Sequence, residues 1–467
     1  MQLISWICAW CRARKLPSTY LAAALLMLWF ARRGANKHVP RDYLITFFLA
    51  VIPTELAHTF LGLNAAILWS LRNNQARVCR HWMGAIAVTV QLWAMHIFLI
   101  HYRENVAAKH LIRSVLKKSG CFGSDKVETV GSLNLKQWVA IMLPIPQRMA
   151  LRLAYPGVTK IKTVAYAHVG LHNLTPLLMD VYKARSAPPN VPVVVYVHGG
   201  GWVGGTRVYP PLPLVYQMAS RGWLICVVDY RLSPKVAFPE HLIDIKRSIA
   251  YLRKNARREF DANPDFIVVA GESAGAHLAS LVALTSGMKE LQPGFETVDT
   301  SVKGCIDAYG VHDITDRFGV HIHKDKGRDF VRFMELIVMQ CRMDQHQEAY
   351  AVASPISWVM ADEIPQLKTN QVIPPFLVAH GTMDTLIPFD DSSFFFEQLQ
   401  RYRERTNQWN GGIHDVFIEL SGVHHAFNYF MSPRALAFGD AVCLFLDALH
   451  TKAVTPRATL SQLRCSL

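Results

Sequence analysis

The stretch "FIVVAGESAGAHLASLVAL", residues 266–284, passes from an apolar, β-branched run through small residues around Glu272-Ser273-Ala274 into helix-forming sequence. A short continuous apolar run bounded by small residues reads as a strand buried on both faces, and the Ala- and Leu-rich segment after it reads as a helix. Between the two, Gly271 and Gly275 fence a lone hydroxyl in the pattern G-x-S-x-G. A strand-to-helix corner of this kind is sharp, so the flanking backbones must approach closely, and the serine oxygen is left projecting above the sheet. The helix also aims its positive end and its first N–H groups at the same point, where they favour an anion. Ser273 is therefore displayed as a nucleophile.

The same rhythm extends on both sides of this corner. From about residue 163, the runs "VVVYVHG", "WLICVVDYR", "VKGCIDAYG", "PFLVAHG" and "DVFIELSG" alternate with helical stretches near 210–221, 238–258, 393–404 and 433–450. Apolar strands alternating with helices predict an α/β fold with a mostly parallel sheet covered on both faces. A hydroxyl is a poor nucleophile at neutral pH, so it needs a base, an orienting acid and donors for the developing oxyanion. All three follow in the chain order Ser, acid, His. "FLVAHGTMDTLIP" delivers Asp384 into a loop after a strand, with Asp390 and Asp391 as alternatives. "FIELSGVHHAFNYF" delivers His424 and His425, of which one is a bystander. Upstream, "VVVYVHGGGWVGG" ends a strand in Gly199, Gly200 and Gly201, where missing side chains let several N–H groups turn toward one oxygen.

These segments resemble the hormone-sensitive-lipase family of α/β hydrolases. The resemblance rests on "HGGGW" at 198–202, "VVDYRLSPKVAFPE" at 227–240, "GESAG" at 271–275, "HGTMD" at 380–384 and "HHAF" at 424–427. It spans about 163–450 and looks closest to bacterial, especially actinobacterial, membrane-associated carboxylesterases. It implies Ser273 as nucleophile, His425 as base because it directly precedes Ala-Phe, and Asp384 as orienting acid. It further implies an oxyanion hole from Gly200, Gly201 and the Ala274 N–H, with His198 and Gly199 shaping the loop, and Asp229 and Arg231 as structural supports. Ala276 departs from the family pattern, where another glycine is usual, and the doubled histidine is a second departure. The implied activity is hydrolysis of lipophilic carboxylic esters through an acyl-enzyme, with no metal or diffusible cofactor. The same machinery serves amides, so amidase, deacetylase or formamidase chemistry is the alternative; a non-catalytic hydrolase-like membrane protein would be expected to have lost one of these groups.

The first quarter has a different composition. Residues 1–118 hold fifteen Lys and Arg against three acids, so twelve of the fourteen net positive charges lie there. They punctuate apolar runs instead of forming a continuous basic face, which fits a lipid bilayer as partner and not nucleic acid. "WMGAIAVTVQLWAMHIFLIHY" from Trp82 has no charged residue over a length sufficient to cross a bilayer core of about 30 Å. Leu16–Ala31 is shorter, and Tyr43–Leu71 is broken by Pro53, Glu55 and His58. About three apolar segments predict a multi-pass integral membrane region, its charge bias tilting the catalytic part toward the cytoplasm. The expected organisation is 1–118 membrane region, 119–162 linker with possible cap helices, 163–452 catalytic domain and 453–467 tail. In the stretch 312–374, Phe330, Phe333, Met334, Ile337 and Val338 either line an acyl pocket or form a lid packed on the core. Cys8 and Cys11 read as membrane-edge residues, and His321 and His323 as a solvated loop, more readily than as metal sites.

Overall fold

The computed structural model describes residues 16–35, 44–71, 82–321, 327–360, 372–408 and 413–454. Cys8, Cys11 and His323 lie outside these residues. Eight strands form one sheet in the order β1-β2-β4-β3-β5-β6-β7-β8. They are β1 (Val158–Val169), β2 (Thr175–Ala184), β3 (Val191–Val197), β4 (Leu224–Val228), β5 (Ala262–Glu272), β6 (Cys305–Ala308), β7 (Phe376–Gly381) and β8 (Val416–Leu420). β1 and β2 are antiparallel to their neighbours, and every pairing from β4 to β8 is parallel. With helices on both faces, this is the α/β-hydrolase architecture expected from the sequence.

The apolar runs are continuous because both faces of the sheet are covered. In β3, Val193, Val195 and Val197 point into one core cluster while Val194 and Tyr196 point into the other. The strand thus uses its period of two to fill two cores at once. The helices of interest are α1 (Leu16–Ala35), α2 (Leu44–Glu55), α3 (Ala57–Leu71), α4 (Trp82–Lys118), α5 (Leu135–Met142), α6 (Gln147–Ala154), α7 (Leu212–Ser220), α8 (Glu240–Phe260), α9 (Ala274–Leu284), α10 (Phe389–Thr406) and α11 (Pro433–Val454). α8, α9 and α10 supply side chains to the first core; α5, α6, α7, α11 and the end of α4 supply the second. β1 begins inside the segment read from sequence as linker, and α5 and α6 occupy much of the remainder.

α4 runs about 55 Å at 1.5 Å per residue over its 37 residues. Its Ala94 and Phe98 pack with Met27, Leu28 and Ala31 of α1, whereas Ile112 and Leu116 are buried in the second core of the α/β domain. Among the described residues it is the one helix long and apolar enough to cross a membrane; α2 and α3 count as a second span only if their 80° bend is ignored. Leu16–Ala35 does not qualify, so the multi-pass expectation is not supported. The bend lies at Leu56, just after Pro53, which removes one N–H from the ladder of α2, and Glu55, which turns to a polar junction.

Glu55 is buried where the N-terminal helices meet the α/β domain. It pairs with Arg434 at the start of α11, accepts from Ser432 Oγ at 2.7 Å and from Asn105 Nδ2 at 3.1 Å, and Asn105 accepts from the Arg434 N–H at 2.7 Å. Arg434 is 2% exposed, so a lost partner leaves a buried charge uncompensated. We expect Glu55→Ala to lower stability by about 3–5 kcal/mol, read as a drop in thermal midpoint of the full chain in detergent, with Glu55→Gln costing less.

Candidate active site

Ser273 sits at φ 55°, ψ −125°, between β5 and α9. An L-residue pays on the order of 1–3 kcal/mol to hold such a conformation, so the surroundings must enforce it. They do so from both sides. The Ser273 N–H donates to the Ala308 carbonyl of β6 at 2.9 Å, and a Cβ at Gly275 would lie 2.2 Å from the Val197 oxygen. Only glycine allows α9 to start this close to β3. Ala274 is the first residue of α9, so its N–H has no partner within the helix.

The glycine loop after β3 lies against this corner. Gly200 has φ 121°, and a Cβ there would fall 2.3 Å from the Gly204 oxygen; Gly201 is also left-handed at φ 60°. A Cβ on Gly199 would meet the Ser273 Cβ at 3.1 Å. The loop of Gly199, Gly200 and Gly201 is thereby brought to the start of α9, where Ala274 lies. His198 is buried and stacks on Tyr230 at 4.5 Å, and the Tyr230 hydroxyl donates to the His198 carbonyl at 3.0 Å. Burial lowers its pKa, so the ring is neutral near pH 7. Asp229 accepts from the Arg207 and Thr206 groups of the loop beyond the glycines. Arg231 grips Asp244 through two nitrogens at 2.7 Å each. Both residues therefore tie loops in place without touching the corner.

Asp384 and His425 come from the loops after β7 and β8. His425 Nδ1 donates to Asp384 Oδ2 at 2.5 Å, which leaves Nε2 as the acceptor. The His425 ring packs 4.4 Å from that of Tyr309, the residue after the Ala308 that anchors Ser273. Imidazole and carboxylate are thus paired at the ends of β7 and β8, and Tyr309 sets the imidazole beside the end of β6, to which the Ser273 backbone is bonded. Of the alternatives, Asp390 opens α10, and Asp391 turns inward to receive the His312 and Asp313 N–H groups at 2.6 and 3.1 Å. His424 points elsewhere, since its two nitrogens lie 3.1 Å from the Met383 carbonyl and 3.0 Å from the Gly34 carbonyl of α1.

Several polar groups around the site carry no motif of their own. Burial raises the pKa of Glu272, beside the serine, to about 7, although its Oε1 accepts from the Gly199 N–H at 3.0 Å and the Tyr429 hydroxyl at 2.9 Å. Burial acts on Asp384 in the same direction, but the attraction of His425 and hydrogen bonds from His380 and His425 override it and hold the carboxyl well below the usual range. Its Oδ1 also receives the Leu386 and Ile387 N–H groups, both at 2.9 Å. His380 Nε2 lies 3.1 Å from Asp384 Oδ2, and its Nδ1 is 2.6 Å from Ser392 Oγ. Ser392 leads on to His312 at 3.4 Å, which stands between Asp307 at 3.0 Å and Asp391 at 3.3 Å. A buried polar chain therefore backs the Asp384 carboxylate. Its signal is present in "HGTMD", where His380 is the penultimate residue of β7, but nothing in sequence spacing links it to His312.

Met334 and Val338 of the stretch 312–374 are fully buried in the first core, while Phe330, Phe333 and Ile337 are half-buried against it. His321, read from sequence as part of a solvated loop, is instead buried, with its ring stacked 4.0 Å from that of Phe330. Among the described residues, no group of three or more His, Cys, Asp or Glu is arranged to hold a metal.

Residues 179–399 match the BD-FAE family model. The chain is 32% identical over 283 residues to Esterase LipQ of Mycobacterium tuberculosis, covering 60% of this chain and 61% of that protein. It is 34% identical over 275 residues to Esterase LipC of the same organism, covering 58% and 62%, and 34% identical over 259 residues to its probable carboxylic ester hydrolase LipM, covering 56% and 54%. The chain thus spans less than two thirds of each of these relatives. The likeness inferred from the motifs is, by the names of these relatives, a likeness to esterases.

His312 gives a test of the buried chain. Burial alone would lower its pKa, but Asp307 and Asp391 raise it to about 9, above its unfolded value of 6.5. The sign is that of a cation bound more tightly in the folded state: the contribution is full below about pH 6.5 and fades as pH rises through about 9. His312→Asn should therefore lower stability by about 3 kcal/mol near pH 6, with the loss shrinking in urea titrations as pH rises from about 6.5 and levelling off above about pH 9.

Proposed function

We propose that the chain is a serine carboxylesterase that cleaves lipophilic carboxylic esters through an acyl-enzyme, working at a lipid bilayer to which α4 anchors it. This reading is carried by the strained Ser273 corner bonded to β6, together with a histidine that packs on Tyr309 of the same strand end and whose Nδ1–H is fixed on a buried carboxylate. The esterase names of the relatives support the same chemistry.

In this reading His425 Nε2 takes the proton of Ser273 as Oγ attacks the ester carbonyl. The negative charge that develops on the carbonyl oxygen is met by the N–H groups of Gly200, Gly201 and Ala274 and by the positive end of α9. The imidazolium then protonates the leaving alkoxide, and the tetrahedral centre collapses to the acyl-serine. Water, deprotonated by the same nitrogen, releases the acid. Asp384 stays ionised throughout, because two backbone N–H groups and the His425 ring donate to its two oxygens and the His380 ring stands 3.1 Å away. It holds the tautomer and stabilises the cation.

Glu272 acts on the oxyanion loop, not on the proton. It receives the Gly199 N–H, and so orients the peptide that leads into Gly200 and Gly201. A glutamine keeps that acceptor and an alanine does not.

An apolar substrate is supported by the proximity of the histidine loop to the apolar N-terminal helices. Val51 of α2 is buried against Ala426, with Ile52, Leu386, Tyr429 and Phe430 around them. One side of the loop that carries His425 is therefore packed on the N-terminal helices.

Turnover of p-nitrophenyl esters tests the assignment. Ser273→Ala and His425→Ala should each lose at least ~10⁴-fold in kcat, whereas His424→Ala should keep most of it. Full turnover in Ser273→Ala would refute the proposal. Glu272→Ala should lower kcat on the order of tenfold to a hundredfold with little change in KM, and Glu272→Gln should restore most of the loss; equal losses in both variants would contradict the acceptor role.

A further inference from the structure

α5 and α6 present an apolar surface that nothing in the described fold covers. On α5 and the residue after it, Leu135, Val139, Met142 and Leu143 are exposed at the spacing of one helix face, Leu135 by 78% and Met142 by 53%. On α6, Met149 is 56% exposed and Leu153 lies one turn on. Their opposite faces are anchored: Ala140, Ile141, Ala150 and Leu151 are buried in the second core. The Asn134 side chain accepts from the Gln137 N–H in a capping box, so α5 has a defined start and a fixed orientation.

Charge indicates what this surface meets. Residues 129–179 contain no Asp or Glu, and they carry Lys136, Arg148, Arg152, Lys160 and Lys162. An apolar stripe flanked only by cations is the composition of a helix that lies in the headgroup region of an anionic bilayer.

The height of the pair along α4 agrees. The uncharged part of α4 ends at Tyr102, and α1 runs alongside it, so that the Ala31 carbonyl meets His101 at 3.1 Å and the chain carries its first cations of α1, Arg32 and Arg33, directly after Ala31. Asn105, one turn on, belongs to the polar junction with Glu55 and Arg434. α5 reaches this junction where Ile141 lies against His58 of α3, and α6 reaches it where Gln147 donates to the Tyr429 carbonyl at 2.6 Å. Both helices therefore stand at the level where the anchor leaves the hydrocarbon.

We propose that Leu135–Ala154 is an interfacial element: α5 and α6 lie on the leaflet beside α4, with Leu135, Val139, Met142, Met149 and Leu153 in the headgroup–acyl boundary and Arg148 and Arg152 among anionic headgroups. This rests on the bilayer reading given above, and it deepens that reading. The loop bearing His425 is held at the membrane surface, so the substrate is an ester that resides in the leaflet, with its carbonyl near the headgroups, and not one that diffuses from solution.

The test uses the full chain reconstituted in phosphatidylcholine–phosphatidylglycerol vesicles, with the photo-cross-linker p-benzoylphenylalanine placed singly at Met142, at Trp93 on the exposed side of α4, or at the remote Arg257. Lipid adducts are expected from Met142 and Trp93 and not from Arg257. The Met142 adduct should fall about fivefold or more for each charge reversed in Arg148→Glu and Arg152→Glu, and likewise in pure phosphatidylcholine, while the Trp93 adduct is unchanged. A lipid adduct at Trp93 without one at Met142 overturns this inference alone, as does a protein–protein adduct at Met142. Absence of lipid adducts at Trp93 as well removes the bilayer reading and this inference with it.

Discussion

The corner at Ser273 is held against its own backbone preference, and the rest of the site is arranged around that constraint. The sheet supplies the force. Ser273 is bonded to β6 through the Ala308 carbonyl, and α9 is pressed onto β3 so closely that Gly275 can carry no side chain. Because β3, β5 and β6 are parallel neighbours, the loops at their carboxyl ends emerge together. The glycine loop follows β3, Tyr309 follows β6, and His425 rests on Tyr309. A slip of one residue in β5 would turn the serine to the opposite face and separate it from all of them.

Two buried carboxylates flank the corner, and their surroundings drive them apart. Glu272 is met by neutral donors, among them the Gly199 amide and the Tyr429 phenol, and these do not offset its burial, so its pKa is raised to about 7. Asp384 is equally buried, yet two backbone amides and the His425 imidazole donate to it, the His380 ring stands 3.1 Å away, and the charged form wins. The same residue chemistry thus yields a loop fastener on one side of the serine and a permanent anion on the other. His380, Ser392 and His312 extend the second network into the core, where Asp307 and Asp391 balance the imidazolium.

The sheet and the corner were legible in the sequence because they are local. "FIVVAGESAG" carries strand, turn and helix start within ten residues, and each gathered loop lies at the end of an apolar run. The choice between His424 and His425 was open to spacing alone and rested on family likeness; in the structure one is bonded to Asp384 and the other clasps Gly34 of α1. Long-range polar pairs left no trace. Glu55 and Arg434 are far apart in the chain, and a lone glutamate in an apolar stretch reads as a break, not as a buried ion-pair partner. The multi-pass expectation finds no support for a related reason: Leu16–Ala35 is apolar enough to pack against α4, but crossing a bilayer asks for a more apolar composition. The segment read as a linker with possible cap helices does hold α5 and α6, but which of their faces is buried depends on contacts with β-sheet and α11 side chains that no local pattern encodes.

α4 ties these levels together, since one continuous helix carries Ala94 and Phe98 among the N-terminal helices and Ile112 and Leu116 in the core of the α/β domain. Whether Ser273 is the group that takes the acyl chain is tested most directly by reacting the full chain with an alkyl phosphonate ester and mapping the added mass by tandem mass spectrometry. A single stoichiometric adduct on Ser273 is predicted, lost when the protein is unfolded before reaction. A stoichiometric adduct on any other residue, or none on the folded chain, would contradict it.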